Sequence, residues 1–196
     1  MHAMFQKTIS QVILFEGVGL HSGKISKVKL VPGEEDQGIV FKRIDLKENN
    51  VIDANYKNVS SAKLCTTLEN TFGANISTVE HLLAAFYITG VDNVTVEVDT
   101  AEIPIMDGSS KDFIEIINAT GTKILSKKRK FLKILDKVEL KDNNRTISIE
   151  PGDSSLEVQF QLNYANKIIG NQANVINFSN DNLEDVYSSR TFCLFQ

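Results

Sequence analysis

What most restricts the fold of this chain is the way its first hundred residues break into short apolar runs rich in β-branched side chains. Thr8 to Phe15, Lys24 to Val31, Ile39 to Ile44 and Asn93 to Val98 carry alternating or continuous Val, Ile, Leu and Phe. Gly17, Gly19, Gly23, Pro32, Gly33 and Gly38 stand between and beside them. Branched and aromatic side chains suit a pleated, half-buried surface, and the glycines and proline supply turns, so these runs are predicted as strands. Helical periodicity marks Thr78 to Thr89, with Ser77 as a possible cap and Gly90 where a left-handed residue ends a helix. Another helix is predicted from Ser110 to Ala119, ended by Gly121 in the same way.

Past residue 126 the composition shifts. The basic run Lys127-Lys128-Arg129-Lys130 reads as a solvated linker, and Phe131 to Leu140, Arg145 to Glu150 and Leu156 to Tyr164 follow as a further set of strands. Asp142-Asn143-Asn144 makes a turn, and Asn182 to Ser188 a last helical stretch. The expectation is therefore α+β: two similar β-rich domains, each backed by helices and packed face to face, over residues 1–126 and 127–196. The C-terminal domain is expected to be incomplete, because an apolar strand at Phe192-Cys193-Leu194-Phe195 would pair with something beyond it. A fragment, or a wall supplied by another molecule, would account for that.

Charge and composition exclude several classes of function. With 21 basic against 25 acidic residues the net charge is −4, and nothing strongly basic invites nucleic acid. No apolar run approaches the roughly 20 residues that a membrane-spanning helix needs, so no transmembrane segment is expected. The start, Met1-His2-Ala3-Met4-Phe5-Gln6-Lys7, lacks the pattern of an export signal. Cys65 and Cys193 permit one bridge but are read as thiols in a reducing compartment, which makes the chain cytoplasmic by expectation.

Few residues carry obvious chemistry. Of three histidines, His2 falls in the terminus and His21 in the glycine-dense turn Gly17 to Gly23, whose spacing does not fit a dinucleotide loop. His81 is the informative one. On a helical wheel Val79, Leu82, Leu83 and Phe86 form one apolar face, and Ala84, Ala85 and Ile88 another around His81, so this imidazole is expected between two covering layers. Its neighbour Glu80 fits a capping box with Ser77, and a buried histidine is commonly a hydrogen-bonded core residue. A Glu-His step without a further histidine one turn on does not by itself identify a metal site. Ala101 to Ser110 links a strand to a helix, with Asp107 and the serines as plausible caps.

Five separated segments together resemble the family of UDP-3-O-acyl-N-acetylglucosamine deacetylases, zinc enzymes of lipid A biosynthesis. They are Gly17 to Gly23, Leu64-Cys65-Thr66, Ile76 to Ala85, Glu102 to Ser109 and Arg190-Thr191-Phe192. The resemblance covers essentially the whole chain and the N-terminal part of the family's length. It implies a hydrolase that removes acetate from the glucosamine nitrogen of a UDP-linked acylated amino sugar, with Zn2+ as cofactor. By the same resemblance, His81 is a zinc ligand, Glu80 the general base and Thr191 a hydroxyl aimed at the developing oxyanion. Leu20, Cys65 and Phe192 resemble positions that line the substrate site or the mouth of its acyl passage. These roles suit the chemistry, since a catalytic zinc keeps an open position for water and lowers its pKa towards about 7. A carboxylate beside it completes the deprotonation, and an oriented hydroxyl stabilises charge that develops mainly in the transition state.

The sequence also departs from the family. The other zinc ligands, a His and an Asp four residues apart on a later helix, and the histidine that acts as general acid are absent from residues 1–196, and Cys193 stands where glycine is usual. The alternative reading is a short, non-catalytic chain that keeps the fold and at most binds a nucleotide sugar.

Overall fold

Inward and outward side chains alternate along Ile25–Pro32 and Val94–Val98 in the computed structural model, which describes residues 4–152, 156–179 and 181–191. In chain order the first strands are β1 (Phe5–Ile9), β2 (Ile13–Val18), β3 (Ile25–Pro32), β4 (Ile39–Arg43), β5 (Val51–Asp53), β6 (Val59–Ser61), β7 (Thr67–Glu69) and β8 (Asn75–Ser77). Helix α1 (Glu80–Thr89), β9 (Val94–Val98), α2 (Lys111–Thr120) and β10 (Thr122–Lys128) follow. After them come β11 (Val138–Asp142), β12 (Arg145–Ile149), β13 (Glu157–Asn163), β14 (Asn171–Asn177) and the short α3 (Glu184–Tyr187). The class is α+β, as expected.

Contacts gather the chain into two units, one formed by residues 130–183 and the other by the residues up to 129 together with the segment from Glu184 onward. The larger unit holds a five-stranded sheet in the order β2-β3-β9-β4-β5, in which only β4 and β9 run parallel. The period of two places Ser26, Val28 and Leu30 of β3 and Val94, Val96 and Val98 of β9 inside. Those strands share one core with Leu82, Ala85 and Phe86 of α1 and Phe113, Ile114 and Ile117 of α2. Phe15 meets Phe113 edge to face at 5.5 Å between ring centroids. A three-stranded sheet, β6-β7-β8, joins the same core through Leu68 and Ile76, and the Arg43 guanidinium of β4 donates to the Asn75 carbonyl at 2.7 Å.

Three sequence expectations change here. Thr8 to Phe15 is two strands, β1 and β2, because the chain breaks at Ser10-Gln11 and β1 pairs with β10 in a separate ribbon. The basic run is no solvated linker at its start. Lys127 and Lys128 end β10, Lys127 pairs with Asp36 at 2.6 Å, and Arg129 donates to Gly90 O and Asp92 Oδ2, each at 2.8 Å. Acidic partners on the larger unit absorb these charges, and composition alone does not reveal partners distant in sequence. Third, Gly121 ends α2 with φ 81° and ψ 169°, not in the left-handed helical region that Gly90 occupies at φ 73° and ψ 26°.

The unit of residues 130–183 consists of two antiparallel hairpins, β11-β12 and β13-β14. Asn143, in the turn expected at Asp142-Asn143-Asn144, takes φ 53°, a conformation asparagine tolerates well. None of the described residues of this unit is buried. The expected strand from Phe131 is shorter, starting only at Val138.

Candidate functional site

The approach to α1 differs from the capping box that Ser77 and Glu80 suggest. Ser77 ends β8 instead, bridging to the segment around Glu102: its N–H donates to Ala101 O at 2.9 Å and its carbonyl accepts from Ile103 N at 3.0 Å. Thr78 follows with φ 59°, which turns the chain so sharply that α1 begins at Glu80 with Val79 at its cap and no capping side chain. Glu80 is thereby released from the expected reciprocal cap. Its Oε2 accepts from the Thr66 amide at 3.1 Å, while the Thr66 carbonyl accepts from Val79 N at 3.4 Å. Thr66 sits in the segment that carries Cys65, whose Sγ lies 3.8 Å from Thr67 Oγ1.

Helix α1 buries one face, through Leu82, Ala85 and Phe86. Among the described residues the further face expected to be covered around His81 is covered only in part: Ala85 is buried, His81 and Ile88 are half-buried and Ala84 is exposed. Apolarity states what a face favours, not what lies against it.

A buried carboxylate organises the surroundings. Glu102 is 2% exposed and accepts from the backbone amides of His21 at 2.9 Å and Ser22 at 2.8 Å and from the Thr78 hydroxyl at 3.0 Å. Burial pushes its pKa up, but the donors from His21, Ser22 and Thr78 outweigh that and hold it below the usual value. The glycine turn is shaped around this group. A Cβ on Gly19 would run into Glu102 Oε2 and Ser22 Oγ, so only glycine lets the backbone come this close. Leu20 and His21 are carried outward on the same turn and are exposed.

Further along the same segment, the Asp107 carboxylate accepts from Ser109 Oγ at 2.6 Å and Ser109 N at 3.0 Å, and from Arg190 Nη2 at 3.2 Å. The Ser109 hydroxyl, with help from Arg190, holds its carboxyl below the usual range against a smaller desolvation effect. Ser109 Oγ in turn accepts from Lys111 N at 3.1 Å, so of the expected capping groups only Ser109 reaches an amide of α2; Asp107 bonds Ser109 instead, and Ser110, at the cap position, makes no side-chain cap bond. Thr191 N donates to Gly108 O at 2.9 Å, so Arg190-Thr191 is fastened to this loop. Ile105 N donates to Val18 O at 3.0 Å, completing the tie to the glycine turn.

Residues 102–109 thus join the glycine turn bearing Leu20, the entry to α1 bearing Glu80 and His81, and the segment bearing Thr191. Cys65 joins through Thr66. Phe192 lies outside the described residues. Sequence reasoning did not single out Glu102 or Thr78. The available signal was a lone acidic residue leading an otherwise apolar run, Ile103-Pro104-Ile105-Met106, where a charge has to be satisfied locally. Among the described residues no three His, Cys, Asp or Glu side chains come together to hold a metal ion, and no helix is long and apolar enough to cross a membrane.

The family model for LpxC, UDP-3-O-acyl N-acetylglycosamine deacetylase, matches residues 6–196 of this α+β chain. A UDP-3-O-acyl-N-acetylglucosamine deacetylase of Geotalea uraniireducens is 38% identical over 189 residues, 96% of this chain and 61% of the relative. The enzyme of that name from Nautilia profundicola is 38% identical over 190 residues, 96% of this chain and 64% of the relative. The one from Phenylobacterium zucineum is 38% identical over 171 residues, 87% of this chain and 58% of the relative. The chain belongs to the UDP-3-O-acyl-N-acetylglucosamine deacetylase family. It spans about 60% of the length of these relatives.

Proposed function

We propose that the complete protein to which these residues belong hydrolyses the N-acetyl group of a UDP-3-O-acyl-N-acetylglucosamine, releasing acetate, in lipid A biosynthesis in the cytoplasm. The observation that carries the reading is the convergence on residues 102–109 of the segments that hold Glu80, His81 and Thr191. Membership of the family supports the substrate class.

The described residues do not by themselves fit a zinc centre. In this proposal zinc belongs to the complete protein, with His81 as one ligand and the others from outside the described residues. When bound, zinc polarises the amide carbonyl and makes water a stronger acid. The remaining work falls to side chains. Glu80, kept in one orientation by the Thr66 amide, takes the proton of the attacking water at its carboxylate. Thr191, anchored through its own backbone to Gly108, offers its hydroxyl to the oxyanion, and Leu20, Cys65 and Phe192 line the sugar and acyl path.

The test uses the full gene product and a UDP-3-O-acyl-N-acetylglucosamine substrate, with acetate release and bound zinc measured side by side. Glu80→Gln is expected to retain zinc and lower kcat by roughly 100-fold or more, the scale of general-base catalysis. His81→Ala is expected to lose zinc. Acetate release at the wild-type rate by Glu80→Gln, or full zinc occupancy in His81→Ala, overturns the corresponding assignment. A wild-type protein that releases no acetate overturns the proposed function as a whole.

A further inference from the structure

The backbone at Thr78 is unusual. A β-branched residue at φ 59° sits in a region that such side chains rarely enter, and it persists only where its surroundings determine it. Thr78 is 2% exposed, and its hydroxyl has one partner of opposite character, the buried Glu102 carboxylate at 3.0 Å. The same carboxylate is fixed from the other side by the His21 and Ser22 amides. Two residues beyond Thr78, the Glu80 carboxylate is held by the Thr66 amide.

We infer that Glu102 is a positioning residue: through the Thr78 hydroxyl it holds the strained turn before α1 in the one conformation that aims Glu80, and His81 beside it, into the site. This rests on the deacetylase reading for its catalytic consequence, but not for its geometric content.

Reach and backbone geometry explain the need for such a strut. A glutamate whose helix starts with an unrestrained residue could fold back onto the free amides of its own first turn, the capping-box arrangement that Ser77 and Glu80 would otherwise adopt. The turn at Thr78 prevents this by placing Ser77 in β8, bonded to the Glu102 segment by two backbone hydrogen bonds. Removing the Thr78 hydroxyl leaves the turn with less to oppose its strain, and relaxation towards an ordinary helical start frees Glu80 from Thr66. Glu102 itself lies outside the proton-transfer pair, so its effect passes through position.

Thr78→Val tests this, since it keeps shape and branching and removes only the hydroxyl, and Thr78→Ser restores the hydroxyl. Hydrogen exchange at the Thr66 amide reads the aim of Glu80 directly. In the full gene product, Thr78→Val and Glu102→Gln are expected to speed exchange at Thr66 at least tenfold more than at Leu68 in the neighbouring strand, whose exchange reads any change in overall stability. Thr78→Ser is expected to match wild type. On UDP-3-O-acyl-N-acetylglucosamine, kcat should fall by about 10- to 100-fold in Thr78→Val with KM within about twofold, the scale of a small misplacement. Unaltered Thr66 exchange in a folded Thr78→Val overturns the inference, as does a Thr78→Ser variant that behaves like Thr78→Val. Exchange that responds as expected in a protein without deacetylase activity upholds the strut and removes the deacetylase reading.

Discussion

In β9 the side chains of Val94, Val96 and Val98 are all buried, whereas β13, which also carries Val158, Phe160 and Leu162 at every other place, buries none of them. Both strands show the same alternation, and both have an antiparallel neighbour. The difference is what lies over the apolar face: β9 sits at the middle of a five-stranded sheet that shares a core with two helices, and β13 has one partner strand. Alternation makes a face, and a covering layer makes an interior. A two-stranded hairpin alone is marginal in water, and neither hairpin of residues 130–183 gains an interior of its own among the described residues.

Three substitutions bear on that contrast. The largest effect is expected from Phe86→Ala, which empties a fully buried site against the core and should cost about 3 to 5 kcal/mol in denaturant unfolding. A cost below about 1 kcal/mol would show that the site collapses freely and that the core is less closely packed than its burial indicates.

Next comes the buried carboxylate of Glu102, in the unit that, among the described residues, has an interior. The folded pKa of Glu102 lies below its usual value of 4.5, so the carboxylate's stabilising effect is complete above that value and is lost as pH falls through the folded pKa. Glu102→Gln should therefore lower stability at neutral pH by about 1.5 to 3 kcal/mol, the scale of hydrogen bonds to a charged group. It should also flatten the acid side of the stability curve below pH 4.5. An unchanged acid slope would mean that the carboxylate titrates alike in folded and unfolded chains.

The smallest change is expected at Phe160, which is 39% exposed. Truncation to alanine should alter stability by no more than about 0.5 kcal/mol. A loss comparable to that of Phe86→Ala would break the comparison and assign this face to a packed interface in solution.

Much of the α+β pattern is legible in the residues alone. The strands at β3, β4 and β9, both long helices and the left-handed stop at Gly90 follow from periodicity and from the freedom of glycine, which are local properties. The short strands β5 to β8 are not, because three-residue strands carry too few side chains to show a period. For the candidate site, the family resemblance supplied Glu80, His81 and Thr191. The geometry around them depends on pairings far apart in sequence, such as His21 with Glu102 and Arg190 with Asp107. Nothing in Ser77-Thr78-Val79-Glu80 reveals that Thr78 bends the chain and forestalls the capping box, since that outcome depends on a carboxylate 24 residues away.

The ribbon of β1 and β10 sets Phe5 opposite Lys128, so the longer of the two stretches that make up its unit begins and ends on adjacent backbone, and the segment from Glu184 returns to it separately. Such an arrangement behaves as a cassette. Neighbouring ends are what circular permutation requires, and a short glycine-rich bridge from Lys128 to Phe5 would close this segment into a loop, with the segment from Glu184 then supplied as a separate chain. New ends could then be opened at the exposed stretch Lys47 to Asn49, between β4 and β5 and well removed in sequence from Thr66 and Gly108, which fasten Glu80 and Thr191. The connectivity of the fold is in this sense interchangeable, while the spatial agreement among its strands is not.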